Sequence, residues 1–124
     1  MVPEETTTAR GRRYEALALA HLEARGLRLL ARNFRCKGGE IDLVMQDGAV
    51  LALVEVRMRG RADFGGAAAS VDARKRARLI TAARVLLRTR PELARLPARF
   101  DVVAIDGADQ AAAVEWIRDA FRLG

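Results

Sequence analysis

Two short segments of the chain gather residue types suited to chemistry on a phosphate ester. Gly39–Val44 carries Glu40 and Asp42, and Val54–Arg57 carries Glu55 and Arg57. Side chains alternate along a strand, so Glu40 and Asp42 share one face and Glu55 and Arg57 share one face. The Gln46-Asp47-Gly48-Ala49 stretch between them is a strong hairpin signal. A two-residue Asp47-Gly48 loop pairs Gln46 with Ala49, Asp42 with Leu53 and Glu40 with Glu55. All four polar side chains then cluster on one surface, with Asp42 diagonal to Glu55. A three-residue loop without a compensating bulge reverses the parity and separates them. Opposed carboxylates repel unless a cation stands between them. A hard divalent metal wants such oxygen ligands and leaves water positions open, and it can activate that water against a phosphate. The plainer account is that Arg57 and other arginines neutralise these acids as surface pairs of small energetic value.

The elements that must position these residues are legible in outline. Thr8 is a plausible N-cap for a helix over Ala9–Arg25, with Gly26 as its stop. Leu19 and Leu22 continue the line of Glu15 along that helix, so Glu15 points toward the body of the protein, where a carboxylate needs a partner. Leu27–Phe34 suits a strand, and Arg35-Cys36-Lys37-Gly38-Gly39 a basic turn. Glu40–Met45 and Val50–Met58 are the hairpin strands, and residues 59–71 form a glycine-rich basic loop. Asp72 can cap a second helix running to about Arg90, before Pro91, with Leu79, Ile80, Ala83, Leu86 and Leu87 as its core face. Phe100–Ile105 is an apolar strand, Gly107 a turn, Ala113–Ile117 an edge strand and Arg118–Gly124 a short tail. Helix, three strands, helix, then one or two strands make an α/β sandwich.

With 124 residues, the chain reads as a flexible tail over residues 1–8 and a single domain over residues 9–124. The apolar fraction of 51% suffices for a core, yet no run is long enough to span a membrane and no signal pattern opens the chain. A cytoplasmic protein with no membrane partner is the expectation. One cysteine, Cys36, and one histidine, His21, exclude a disulfide framework, a Cys/His zinc site and a Ser-His-Asp triad. No phosphate-cradling glycine loop of known spacing is present. The aromatic residues Phe34, Phe100 and Trp116 fall in strand-like segments and read as core.

The net charge is +6, and 20 of the 22 basic residues are arginine, whose planar fork grips phosphate in a bidentate manner. Codon bias in a GC-rich genome explains arginine content equally well, so position must decide. Arg74, Lys75, Arg76 and Arg78 crowd the first turns of the second helix, against the helix dipole; an anionic partner would resolve that conflict. Arg59 and Arg61 follow the hairpin, while Arg35 and Lys37 flank the basic turn. Contacts from these eight positions to a phosphate backbone would give placement without sequence specificity. Taken singly, each is an ordinary surface cation.

The hairpin acids and the Val54-Glu55-Val56-Arg57 strand resemble the signature of the PD-(D/E)XK nuclease superfamily. The wider pattern is similar to the YraN-like uncharacterised protein family (uncharacterised protein family 0102), which is endonuclease-like. It is carried by Gly11-Arg12-Arg13-Tyr14-Glu15, the run from Ala31 to Val44, Val71-Asp72-Ala73-Arg74-Lys75, Arg99–Val103 and Glu115–Phe121. The resemblance implies a restriction-endonuclease-like three-layer sandwich with a central mixed β-sheet flanked by helices. It places Asp42 and Glu55 at the superfamily's metal-binding acids and Glu15 at a first-helix glutamate that completes the site in similar junction-resolving enzymes. Glu40 belongs to the motif with a less defined role. Mg²⁺ or Mn²⁺ is the implied cofactor, and DNA, branched or otherwise structured, the implied partner and substrate; cutting paired strands would bring a homodimer into play.

The chain departs from the pattern at Arg57, where the motif has lysine. Arginine stays charged and cannot serve as a base, though it can hold water or clamp charge. Lys75 could take over, or the fold could bind nucleic acid without cutting it. The alternative function is therefore a non-catalytic nucleic-acid-binding protein. A third is an interaction module whose basic face meets an acidic protein.

Overall fold

A computed structural model describes residues 7–58, 71–106 and 113–122. The first helix, α1, spans Thr7–Glu23. It starts before the expected cap, so Thr8 lies inside it. Tyr14, Ala18 and Leu22 recur at helical spacing and are buried. Gly26 ends the turn that follows at φ +91, a conformation that costs glycine little.

Three antiparallel strands follow: β1 (Arg28–Cys36), β2 (Gly39–Asp47) and β3 (Val50–Met58). Asp72 caps the second helix, α2 (Ala73–Thr89): its Oδ1 accepts the Lys75 amide hydrogen at 2.9 Å. A 3₁₀ turn over Leu93–Arg95 leads to β4 (Ala98–Asp106), and β5 (Ala113–Phe121) forms the far edge. The sheet order is β1-β2-β3-β4-β5, mixed because β3 and β4 run parallel across the α2 connection.

The two helices cover opposite faces. Leu79, Ala82, Ala83 and Leu86 of α2 pack on Ile41, Val44, Leu51, Leu53 and Phe100. Tyr14, Ala18 and Leu22 of α1 pack on Leu43, Met45, Ala52, Val54 and Val103. Both faces of the central strands are thus buried, which accounts for the nearly continuous apolar run Val50–Val54. Gly39 lets β2 meet α2 at close quarters, since a Cβ there would lie 2.0 Å from the carbonyl oxygen of Arg78.

The C-terminal strand runs past its expected end at Ile117, through Arg118–Phe121 of the expected tail. Its ring stacks on buried Phe100 with centroids 4.7 Å apart. Fully buried Asp101 accepts from Arg99 Nε, Trp116 Nε1 and the Asp119 amide, the last from a residue at φ +53. These contacts hold the bulged end of β5 to β4. The expected tail of residues 1–8 lies outside the described residues except for its last two. The loop over 59–70 and the turn at Gly107 lie outside them too. Among the described residues no helix is long and apolar enough to cross a membrane.

Candidate functional site

The hairpin turns one residue later than the sequence suggests. Asp47 pairs with Val50 around a Gly48-Ala49 turn, with Gly48 at φ +60. Expected partners therefore shift by two positions, which leaves the parity of the two strands intact. Continuing the register beyond the last ladder pair, Leu43 with Val54, sets Asp42 across from Glu55 rather than diagonal to it. There the ladder gives way: the Val56 amide donates to Asp42 Oδ2 at 2.8 Å.

At Asp42 the strand also loses its regular alternation. Leu43 and Met45 pack into the α1 layer, whereas Ile41, two residues before Leu43, packs into the α2 layer. Across from this slip, between the pairs Arg32–Leu43 and Phe34–Ile41, β1 holds Asn33 at φ +52. Asparagine tolerates that left-handed conformation better than most residues. The slip opens one end of the sheet so that side chains of both layers reach the same place. Glu15 arrives from α1, Asp42 from β2, Glu55 from β3 and Lys75 from α2, all lining one cavity of about 410 Å³ that Glu40 also borders.

The electrostatics follow from burial. Glu55 is 3% exposed, with Lys75 Nζ 2.8 Å from its Oε1. Burial, and then the charge of Asp42, push its carboxyl up to about 7, against the pull of Lys75 and of Arg57. Asp42 is raised by burial and by Glu40, while the Val56 amide, Lys75 and a hydrogen bond shared with Glu55 work the other way. Burial and Asp42 raise Glu15 as well, and a hydrogen bond with Asn33 lowers it. One oxygen of Glu15, Oε1, is buried with no hydrogen-bond partner among the described residues. Three acids are each raised by burial and by at least one other carboxylate, which marks a place short of positive charge.

The remaining expected residues distribute around this cavity. Glu40 pairs across strands with Arg35, at 3.5 Å and largely in solvent. Arg57 is half-buried on β3, and its charge acts on Glu55. Arg74 and Arg78 line an adjoining cavity of about 310 Å³ together with Glu40, Glu55 and Lys75. Arg35 borders a third cavity with Glu15, Asn33 and Asp42, and Lys37 is exposed in the β1–β2 turn. Arg76 is held elsewhere: its Nε donates to the Val71 carbonyl, and its guanidinium lies 5.4 Å from the Phe121 ring centroid. Arg59 and Arg61 lie outside the described residues. Among the described residues no three acidic, histidine or cysteine side chains are already gathered as a metal shell.

Asn33 is the site residue that the pattern of charges does not single out. Its signal is an asparagine within an otherwise strand-like run, but only the fold reveals that it meets Glu15. Lys75 stands in the sequence both among the basic helix residues and as a residue that could take over from Arg57, and the fold sets it against Glu55.

Comparison with known proteins shows the family to which the chain belongs. Residues 14–105, which include Glu15, Asp42, Glu55 and Lys75, match the model described as "Uncharacterised protein family UPF0102". A UPF0102 protein of Xanthomonas campestris pv. campestris (strain B100) is 56% identical, covering 92% of this chain and 92% of its own length. One from Pseudomonas entomophila is 49% identical over 97% of this chain and 98% of its own. One from Dechloromonas aromatica is 52% identical over 94% of this chain and 92% of its own. The chain belongs to the uncharacterised protein family UPF0102.

Proposed function

We propose that this protein is a metal-dependent, endonuclease-like protein on a restriction-endonuclease-like fold, hydrolysing phosphodiesters of DNA, with branched or otherwise structured DNA as the preferred form. The observation that carries this reading is the meeting of Glu15, Asp42 and Glu55, from three elements, at one cavity whose neighbour is lined by Arg74 and Arg78. An acidic floor beside basic side chains suits a cation below and phosphates alongside.

The donor set fits Mg²⁺ or Mn²⁺. The donors are hard carboxylate oxygens, one Glu15 oxygen is buried without a partner among the described residues, and Asp42 raises both Glu15 and Glu55. Asp42, Glu55 and Glu15 would hold the ion, with Glu40 at the border. When bound, it would supply water activation and charge neutralisation at the phosphate. The chain's own residues do the rest. Arg57 steadies negative charge beside Glu55, and Arg74, Arg78, Arg35 and Lys37 bind backbone phosphates flanking the scissile one. The water oxygen forms the new bond to phosphorus in line, the opposite ester P–O bond breaks, and the water's proton leaves to solvent as the leaving oxygen gains one.

Asp42→Asn combined with Glu55→Gln tests this. Metal-dependent cleavage should fall below detection, while DNA affinity measured by fluorescence anisotropy stays within about threefold, because phosphate contacts rather than the acids supply binding. Undiminished cleavage in the double variant would end the assignment. A second reading, binding without cleavage, rests on arginine at position 57. If cleavage emerges only in Arg57→Lys, the natural protein is a binding module.

A further inference from the structure

Arginine occupies the place on β3 where the nuclease pattern has lysine, yet the carboxylate that such a lysine would serve is not left without one. Lys75 Nζ stands 2.8 Å from Glu55 Oε1, and the side chain is 36% exposed at the cavity edge while Glu55 is 3% exposed. The placement is fixed by the backbone. Asp72 accepts the Lys75 amide hydrogen at 2.9 Å, and Gly39 lets β2 approach α2 closely one turn further on. A helix built for stability alone would favour an acid at this third position, facing the positive end of the dipole and able to complete a capping box. A lysine there runs against that preference, and the buried carboxylate is the feature that compensates it. Arg57 carries a planar guanidinium on a strand. Lys75 carries three N–H donors on a flexible stem, one engaged by Glu55 and, among the described residues, two left for a water or a phosphate oxygen.

Resting on the reading of Glu15, Asp42 and Glu55 as a cation-holding set, the geometry points to Lys75 as the positioning residue of this site: it holds Glu55, does so in the cation's stead when no metal is bound, and performs from α2 the part that the sequence pattern gives to position 57. Arg57 then contributes background charge. Lys75, in contact with Glu55, is also set apart from Arg74 and Arg78, which line the adjoining cavity.

The test is Mn²⁺ titration by calorimetry on the full chain, comparing wild type with Lys75→Met, Arg57→Met and Arg74→Met, each of which removes one positive charge. Lys75→Met should bind Mn²⁺ about fivefold more tightly or better, because a contact cation has been removed from a ligand. Arg57→Met and Arg74→Met should change the affinity by less than about twofold. On the same samples at saturating Mn²⁺, Lys75→Met should lower kcat for DNA cleavage roughly a hundredfold with KM moved less than about threefold. Adding Arg57→Lys to Lys75→Met should restore at least about tenfold of that loss, which a merely structural lysine would not allow. Lys75→Gln, closer in shape, replaces Lys75→Met if the latter does not fold.

Equal Mn²⁺ affinities in Lys75→Met and Arg74→Met would overturn the inference, as would both effects appearing in Arg57→Met instead. Undiminished cleavage by Lys75→Met in a wild-type background that cuts would overturn it and leave the nuclease reading standing. A wild type that binds Mn²⁺ but cuts no DNA would sink the nuclease reading, while the calorimetric contrast still decides on Lys75. Absence of Mn²⁺ binding in both wild type and Lys75→Met would overturn the two together.

Discussion

A carboxylate taken out of water favours its protonated form, and Glu55 pays this penalty at 3% exposure beside Asp42. Its pKa is about 7 in the folded chain against an ordinary value of 4.5. The folded state therefore holds the proton more tightly than the unfolded state, so this residue's contribution is most favourable below about pH 4.5 and is lost as pH rises through about 7. Glu55→Gln, which stays neutral, should accordingly leave stability near wild type at pH 4.5 and raise it by about 1–3 kcal/mol at pH 8. Urea unfolding of both proteins at the two pH values measures this. Stability that is greater in wild type at pH 8 would mean that Lys75 more than offsets the burial. The same sign applies to metal: a cation binds the ionised form, so Mn²⁺ binding releases a proton and weakens as pH falls below about 7.

At the scale of elements, the site depends on a strand that slips and a helix that comes close. Gly39→Ala would drive a methyl group against the Arg78 carbonyl, with α2 backbone rather than a flexible side chain in the way. It should cost about 2–4 kcal/mol and reduce metal binding by displacing Glu40 and Asp42 on β2, read by thermal unfolding and Mn²⁺ titration. The acids themselves were legible from alternation along two strands, and this survived a turn placed one residue late because a shift of two partners preserves the faces. The Asp72 cap and the apolar face of α2 were legible too, since both are local patterns. What the sequence did not reveal is set by tertiary packing. The exchange of layers between Ile41 and Leu43, and Asn33 at φ +52, depend on neighbouring strands and on which helix each side chain meets. The length of β5 was missed because Phe121 is held by a ring on β4, and Asp119 by the buried Asp101.

Taken as a whole, the molecule carries a net charge of +6, yet the acids raised by burial, Glu15, Asp42 and Glu55, sit at one end of the sheet among cations from α2 and β1. A phosphate backbone drawn to those cations would release counterions, so log affinity for DNA should fall against log salt with a slope steeper than about −3. Anisotropy titrations from low to physiological salt give that slope. Weak binding with little salt dependence would favour an acidic protein partner instead. The measurement that bears most directly on the central claim is Mn²⁺ titration by calorimetry of wild type and Asp42→Asn, with DNA cleavage followed on the same samples. Saturable Mn²⁺ binding and Mn²⁺-dependent cleavage in wild type, both lost in Asp42→Asn, is the predicted result. Mn²⁺ binding and cleavage that are the same in both proteins, or no binding to wild type at millimolar ion, would contradict it.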